Sequence, residues 1–446
     1  MTASTHKTDA LGSEKIPRLV MRFTLTTFVA LIINALYNLS DALFVSWGVG
    51  TDAMGGVSVV LPFVLIQSAI STTIGGGAAA IVSKKLGEGR AEEAGQVTLS
   101  AMTAFYTTAI FVTAVGFIFM EPIIRAMGVT EEIYPYAKEY FIIILAGNVF
   151  STGFSAIIRA EGKMLYGLLI WVIPISINIA LDAIFIPVLG WGVTGSAAST
   201  VIAQFLSFCM SMLFFTRRSV QRFRGARPNF KSIGSIIAIG VPSLVQIGSM
   251  TVTMLLINNV LSRTEGTAGV NTFSYVNRIL TFTIMPFTAF SQALAPIAGY
   301  NYGAKSPERC RSALIFCAAL SLGYAALAAV LTGLIPQQLL MIFTEDASII
   351  ADGALVLHII AASYIFIPMP MLAGTVFQAI GKKSVALVMH AAQLIFMLPS
   401  VFIMLAAAGT GGLWWAYTIS GAGASVLAAV IIFGKKKNMF VAPEVK

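Results

Sequence analysis

Ala424-Ser425-Val426-Leu427-Ala428-Ala429-Val430-Ile431-Ile432-Phe433 runs straight into Gly434-Lys435-Lys436-Lys437. A strand facing lipid would alternate in polarity over segments of ~10 residues. This run, like Phe141–Gly147, is apolar on every face, so both read as helix buried in hydrocarbon. The three lysines behind it mark an end that stays on the cytoplasmic side.

The rest of the chain repeats this pattern. Of 446 residues, 57% are hydrophobic and 11% charged, against roughly 25% charged in a soluble domain. The mean hydropathy is +0.86. A spanning helix needs about 20 mostly apolar residues, which leaves room for twelve. The expected spans are 17–46, 53–82, 93–119, 134–157, 164–187, 193–216, 231–259, 268–297, 309–333, 349–378, 384–407 and 411–434. Met1–Gly12 is polar, and the first apolar run starts after Lys15, Arg18 and Arg22, so it reads as a retained helix rather than a cleaved leader.

Charge tests this division. With the N-terminus inside and strict alternation, the inner segments hold 24 of the 28 basic residues. Arg125, Lys138 and Arg263 fall outside, and Arg278 lies within the eighth helix. A wrong helix count would scramble the alternation, so both termini are placed inside. The net charge of +9 is thereby a topology signal, not a nucleic-acid footprint. The expected organisation is an N-terminal tail (1–16), a first lobe of six helices (17–216), a linker (217–230), a second lobe of six helices (231–434) and a C-terminal tail (435–446).

The lobes read as a repeat. Leu86-Gly87 corresponds to Tyr302-Gly303, Thr130-Glu131-Glu132 to Thr344-Glu345-Asp346, and Ile158–Lys163 to Phe377–Lys382. The three correspondences share nearly one offset, close to half the chain. Two related six-helix halves around a central cavity is a plan used by transporters.

Of the 19 acidic residues, Asp41 and Asp182 fall well inside predicted helices. A carboxylate there costs about 2.5–3.5 kcal/mol and marks a functional site by default. Both lie about five residues from the outer end of a helix, ~8 Å deep at 1.5 Å per residue. Thr200 on the returning sixth helix reaches a similar depth, and Asn178 precedes Asp182 by one turn. Asn34, Tyr37, Asn38 and Asp41 form a polar stripe on the first helix. Such a stripe faces protein or a watery cavity. Oxygen donors from Asp41, Asn178, Asp182 and Thr200 suit a small hard cation such as Na⁺. Two nearby carboxylates equally suit H⁺. The competing reading is a hydrogen-bond network that only glues helices together.

Two further stripes, Asn148, Ser151, Thr152 and Ser155 on the fourth helix and Gln246, Ser249, Met250 and Thr253 on the seventh, read either as helix contacts or as the lining of a substrate cavity. Met-rich surface tolerates varied ligands. Arg278 is expected either to pair with carbonyls or a neighbour, or to gate that cavity. Gly75-Gly76-Gly77 lacks the Gly-Lys-Ser/Thr of a phosphate loop. There is no zinc-protease motif and no nucleophile–base set, so the chain reads as a non-enzyme. Cys209, Cys310 and Cys317 have no ligand or disulfide spacing. No prosthetic cofactor is expected. With no ATP-binding domain legible, transport is expected to draw on an ion gradient.

Asn38-Leu39-Ser40-Asp41, Asn178–Ile186, Gly190–Ala197 and Gln292 through Ala304 resemble the multidrug and toxic compound extrusion (MATE) family along nearly the whole chain. The resemblance implies an all-α fold of twelve transmembrane helices in two lobes forming a V-shaped central cavity. It implies a cytoplasmic-membrane protein of a bacterium or archaeon, read here as a monomer, exporting small-molecule drugs or organic cations in exchange for H⁺ or Na⁺. In the DinF-like branch it assigns coupling to the counterparts of Tyr37, Asp41, Asn178, Asp182 and Thr200. Ala183 departs from the Pro often found after the helix-5 Asp, which puts in doubt a helix bend proposed to accompany protonation. The second half has no deep acid, unlike the NorM-like branch. A flippase for lipid-linked sugars is the alternative, although such a cavity needs several cations. An intramembrane enzyme is a more distant one.

Overall fold

The computed structural model describes residues 9–151, 153–221, 223 and 227–434. Every regular element among them is helical. Twelve helices are long and apolar enough to cross a membrane. They are α1 (Ile16–Gly48), α2 (Thr51–Gly87), α3 (Ala91–Ile118), α4 (Tyr134–Ala160), α5 (Met164–Phe185), α6 (Gly192–Arg217), α7 (Phe230–Thr264), α8 (Gly266–Gly303), α9 (Pro307–Leu334), α10 (Ala347–Phe366), α11 (Lys383–Leu413) and α12 (Trp415–Gly434). After α10 the chain continues as a helix, Pro368–Ala379. Large apolar side chains are widely exposed, including Leu65, Phe111, Phe402 and Val426. That surface suits lipid, not water.

The helices overrun the expected spans where polar residues follow the apolar run. α2 continues to Gly87 with Lys84 and Lys85 in its last turn, and α8 reaches Gly303 rather than 297. Hydropathy marks where lipid ends; backbone hydrogen bonding carries the helix further, and lysines favour its negative end. The expected break after residue 407 coincides with the kink at Ala408 and Gly409, which have non-helical dihedrals inside α11.

The repeat is written into the backbone. Positive φ occurs at Gly50 and Gly266 and at Gly89 and Lys305, two pairs that share one offset. It occurs again at Gly162 and Gly381 and at Gly190 and Gly409, two pairs that share another, only slightly longer. The fourth helix of each half is interrupted by a tight 3₁₀ segment, Asn148–Phe150 in one and Ala362–Phe366 in the other.

Contacts divide the chain into two compact units. The first holds Leu25–Gly240; the second holds Leu11–Thr24 and the chain from Val241 on. The division thus falls within α1 and within α7, at matching points of the two halves. In the first unit Val45, Val57, Phe63, Phe141, Ile144 and Leu145 form a buried core. The three-glycine run is a crossing point there. A Cβ at Gly75 would lie 2.7 Å from the Gly153 carbonyl, and one at Gly77 would overlap that of Ile236. In the second unit Ile257, Phe273, Phe287, Leu357, Met397 and Val401 are core. The segment just before α1 is tied into this unit: Arg309 donates to Leu11 O (3.2 Å) and Glu14 O (2.8 Å), and Asn301 donates to Leu11 O (3.0 Å).

A third carboxylate is buried outside the spans. Glu161, in the turn between α4 and α5, is 1% exposed. It accepts from Ser219 Oγ (2.6 Å), Val220 N (2.9 Å) and Gln221 Nε2 (2.6 Å). Burial pushes its carboxyl up from the ordinary value, and the three donors partly offset that. Thr98 of α3 donates to Gln221 Oε1 at 2.5 Å, so the segment after α6 is pinned both to α3 and to the turn between α4 and α5.

Candidate functional site

Asp41 lies seven residues before the end of α1, about 10 Å along the axis, and Asp182 three before the end of α5, ~5 Å. Helix ends alone would put them at different depths. What brings them together is α6. Ser196 Oγ donates to Asp41 Oδ1 at 3.0 Å. One turn on, Ser199 Oγ donates to Asp182 Oδ1. Spacing of i, i+3 on a helix puts both hydroxyls on one face, and both serines are fully buried. The two carboxylates, from helices far apart in sequence, are therefore wired to one turn of a third.

Asn178 completes the surround of Asp182. Its amide nitrogen donates to Asp182 Oδ2 at 3.2 Å, while its oxygen accepts from Thr200 N at 3.1 Å and lies 3.1 Å from Ser199 Oγ. This orientation follows from the hydrogen-bond network. Ser199 Oγ is also 2.8 Å from Ser196 O. One hydroxyl carries one proton, and the charged acceptor is the strongest claimant. Asp182 and Asn178 are buried; Asp41 is half-buried.

Tyr37, one turn before Asp41, places its hydroxyl within electrostatic reach of Asp41, Asp182 and Thr200. Tyr140 of α4 also lies within reach of Asp41, Tyr37 and Asp182. Thr200 Oγ1 is buried and makes no hydrogen bond of standard geometry, which leaves an oxygen aimed into the cluster beside the Tyr37 hydroxyl. Among the described residues there is no group of three or more His, Cys, Asp or Glu that could hold a metal. A cation here would rest on two carboxylates and neutral oxygens.

The structure thus brings together Tyr37, Asp41, Asn178, Asp182 and Thr200. The sequence reading missed Ser196, Ser199 and Tyr140. The serines carried a signal: in Gly195-Ser196-Ala197-Ala198-Ser199-Thr200 the polar positions recur on one helical face. Tyr140 sits in an apolar run and gave none.

The cavity candidates fare differently. Asn34 is half-buried two turns before Asp41. Asn38 is on α1, but its side chain, like all of Thr152, lies outside the described residues. Asn148 lines no open space: it is 3% exposed and donates to Ala109 O and Thr113 Oγ1, both at 3.2 Å. It fills the helix break and joins α4 to α3. Ser151 is half-buried, its carbonyl 3.4 Å from Ser71 Oγ. Gln246 is half-buried, Met250 is 52% exposed, and Arg278 is exposed with its guanidinium 5.9 Å from the centroid of the Tyr275 ring.

Twelve membrane-length helices in two related halves make the chain a multi-pass membrane protein, and the family it matches is one of transporters, not enzymes. The chain belongs to the MatE family, whose match covers residues 27–184 and 242–403, one segment in each half. Among curated relatives it is 20% identical over 428 residues to the multidrug export protein MepA of Staphylococcus haemolyticus, covering 95% of this chain and 94% of the relative. The MepA of Staphylococcus aureus (strain NCTC 8325 / PS 47) is 22% identical over 431 residues, 94% of each chain. Among solved structures, an outward-facing multidrug resistance MATE family transporter superposes with a TM-score of 0.90 at 23% identity, covering 98% of this chain and all of that one. A transporter from Pyrococcus furiosus, described as having a binding pocket of reverse polarity that suggests a different function, gives 0.89 at 22%, covering 99% of this chain and all of that one.

Proposed function

We propose that this chain is a secondary active antiporter. It exports organic, often cationic, compounds in exchange for H⁺ or Na⁺ by alternating access, with the cation taken at Asp41 and Asp182. The observation that carries this reading is the Ser196–Ser199 turn of α6, which holds both carboxylates. A cation that neutralises either one changes the best acceptor available to a serine hydroxyl, so α6 feels occupancy at both. The naming of its relatives as multidrug exporters supports the cargo class. The protein acts as a monomer in a cytoplasmic membrane with both termini inside. For an uncharged or zwitterionic cargo one charge moving inward gains about 2.3 kcal/mol per 100 mV; for a singly charged cation a one-for-one exchange moves no net charge, and the concentration gradient of the coupling ion drives it.

In proteoliposomes with Na⁺ and pH gradients imposed separately, Asp41→Asn and Asp182→Asn are expected to lower export of an organic cation by at least tenfold. Export at the wild-type rate by both folded variants, under either gradient, would remove these aspartates from the mechanism.

A further inference from the structure

One face of α8 is polar where lipid contact would call for apolar residues. Asn271, Ser274, Arg278 and Thr281 follow at spacings of three and four, and all are exposed, so they form one stripe. The opposite face is core: Phe273, Val276, Ile279 and Leu280 are buried. Ser274 and Thr281 satisfy their hydroxyls on their own helix, donating to Val270 O (3.0 Å) and Asn277 O (2.8 Å). Arg278 has no such recourse. A guanidinium carries five N–H donors, and among the described residues Arg278 forms no ion pair; its one contact is the face of Tyr275. A charge within a spanning helix is costly and faces a watery space or a partner.

The surroundings of Arg278 have a definite chemistry. Phe282, Met250 and Met254 are 51%, 52% and 43% exposed. Asn277 Nδ2 approaches Met254 Sδ at 4.0 Å, so α7 and α8 share this surface. It is soft, apolar and adaptable, with one fixed positive charge. A carboxylate fits the guanidinium fork through two parallel hydrogen bonds, and the methionines and phenylalanine accept an apolar body. We propose that Arg278 is a specificity-determining residue that binds the carboxylate of amphiphilic cargo. This rests on the export reading above and names a residue that selects among its cargo.

The test uses the full chain in proteoliposomes with a xanthene dye bearing a free carboxylate and, separately, its methyl ester. The two differ in the group Arg278 would hold. Arg278→Ala is expected to lower the acid-to-ester export ratio about tenfold. Arg278→Lys should recover part of it, keeping the charge but not the fork. If the alanine variant does not fold, Arg278→Gln carries the same expectation. An unchanged ratio in folded variants overturns the proposal. So does an equal fall for both dyes with loss of a co-purifying phospholipid in native mass spectra, because the anion held is then a lipid headgroup. If the wild type exports neither dye under an ion gradient, the export reading itself fails. Export of the ester with an unaltered ratio sinks the Arg278 assignment alone.

Discussion

In the first unit Asp41, Asn178 and Asp182 sit among hydroxyls and amides that satisfy them. At the corresponding positions of the second half, matched through the paired turns, stand Ile257, Met397 and Val401, all fully buried members of an apolar core. The counterpart of Ser199 is Thr418, whose Oγ1 is buried without a partner. The counterpart of Glu161 is Ile380, 3% exposed. Four left-handed turns recur at matching positions of both halves, so the backbone plan does not require the charges. The second half shows how this scaffold packs when the position is purely structural. Against that background the aspartates of the first stand out as additions that packing does not explain.

The largest effect should come from moving the charge across. Val401→Asp would bury a carboxylate with no donor in the apolar core, where an unpaired charge costs more than about 4 kcal/mol. The variant should yield little monodisperse protein in detergent. Asp182→Val in the first unit strands the donors of Ser199 and Asn178, at a cost of ~1–3 kcal/mol. It should remain folded while losing export. The pair is read by thermal unfolding in detergent. If Val401→Asp melts with the wild type, the second unit holds a polar environment after all and the contrast collapses.

Much of this plan is legible in sequence because lipid makes the rules strict. A helix must be about 20 apolar residues long and lysines collect on one side, so twelve spans and Asp41 and Asp182 stand out directly. What stayed hidden depends on packing. Ser196 and Ser199 look like the small residues found at any helix contact until a carboxylate is placed opposite. Tyr140 is one more apolar-looking residue in its run. Asn148 stayed open between helix contact and cavity lining because polarity on a helix does not say which neighbour it faces; the 3₁₀ break aims it at α3. Glu161 lies in a polar loop, Ala160–Lys163, whose burial only the fold reveals.

Glu161 sharpens the contrast at an intermediate scale. Three donors from Ser219, Val220 and Gln221 converge on it, and a buried donor left without its acceptor costs about 1–3 kcal/mol. Glu161→Ala should therefore raise amide exchange at Val220 by at least tenfold. Ile380→Ala, which removes only apolar contact, should leave Val220 unaffected. The carboxyl is held above its usual value of 4.5 in the docked state. Docking is then fully favoured below about 4.5 and loses that contribution as pH rises through the raised value. Protection of Val220, corrected for intrinsic exchange, should fall with rising pH across that window and be flat in Glu161→Gln. Protection that instead rises with pH would show that the three donors outweigh burial.

The smallest expected effect tests whether the two halves truly share one backbone. After α2, Gly89 N donates to Leu86 O (3.1 Å) and Arg90 N to Lys85 O (2.9 Å); after α8, Lys305 N donates to Tyr302 O (3.2 Å) and Ser306 N to Asn301 O (2.9 Å). This is the same paired C-terminal cap, with φ of +74° at Gly89 and +54° at Lys305. A side chain in that region costs roughly 1–2 kcal/mol, and no atom crowds Gly89. Gly89→Ala should thus lower the melting temperature slightly through backbone strain alone. Lys305→Gly should raise it or leave it level, because the relief of strain is offset by the ~0.5–1 kcal/mol of added freedom in the unfolded chain. If Lys305→Gly were instead the more damaging change, the lysine side chain would be holding its turn by contacts that Gly89 lacks. The two caps would then be alike in shape but not in what stabilises them.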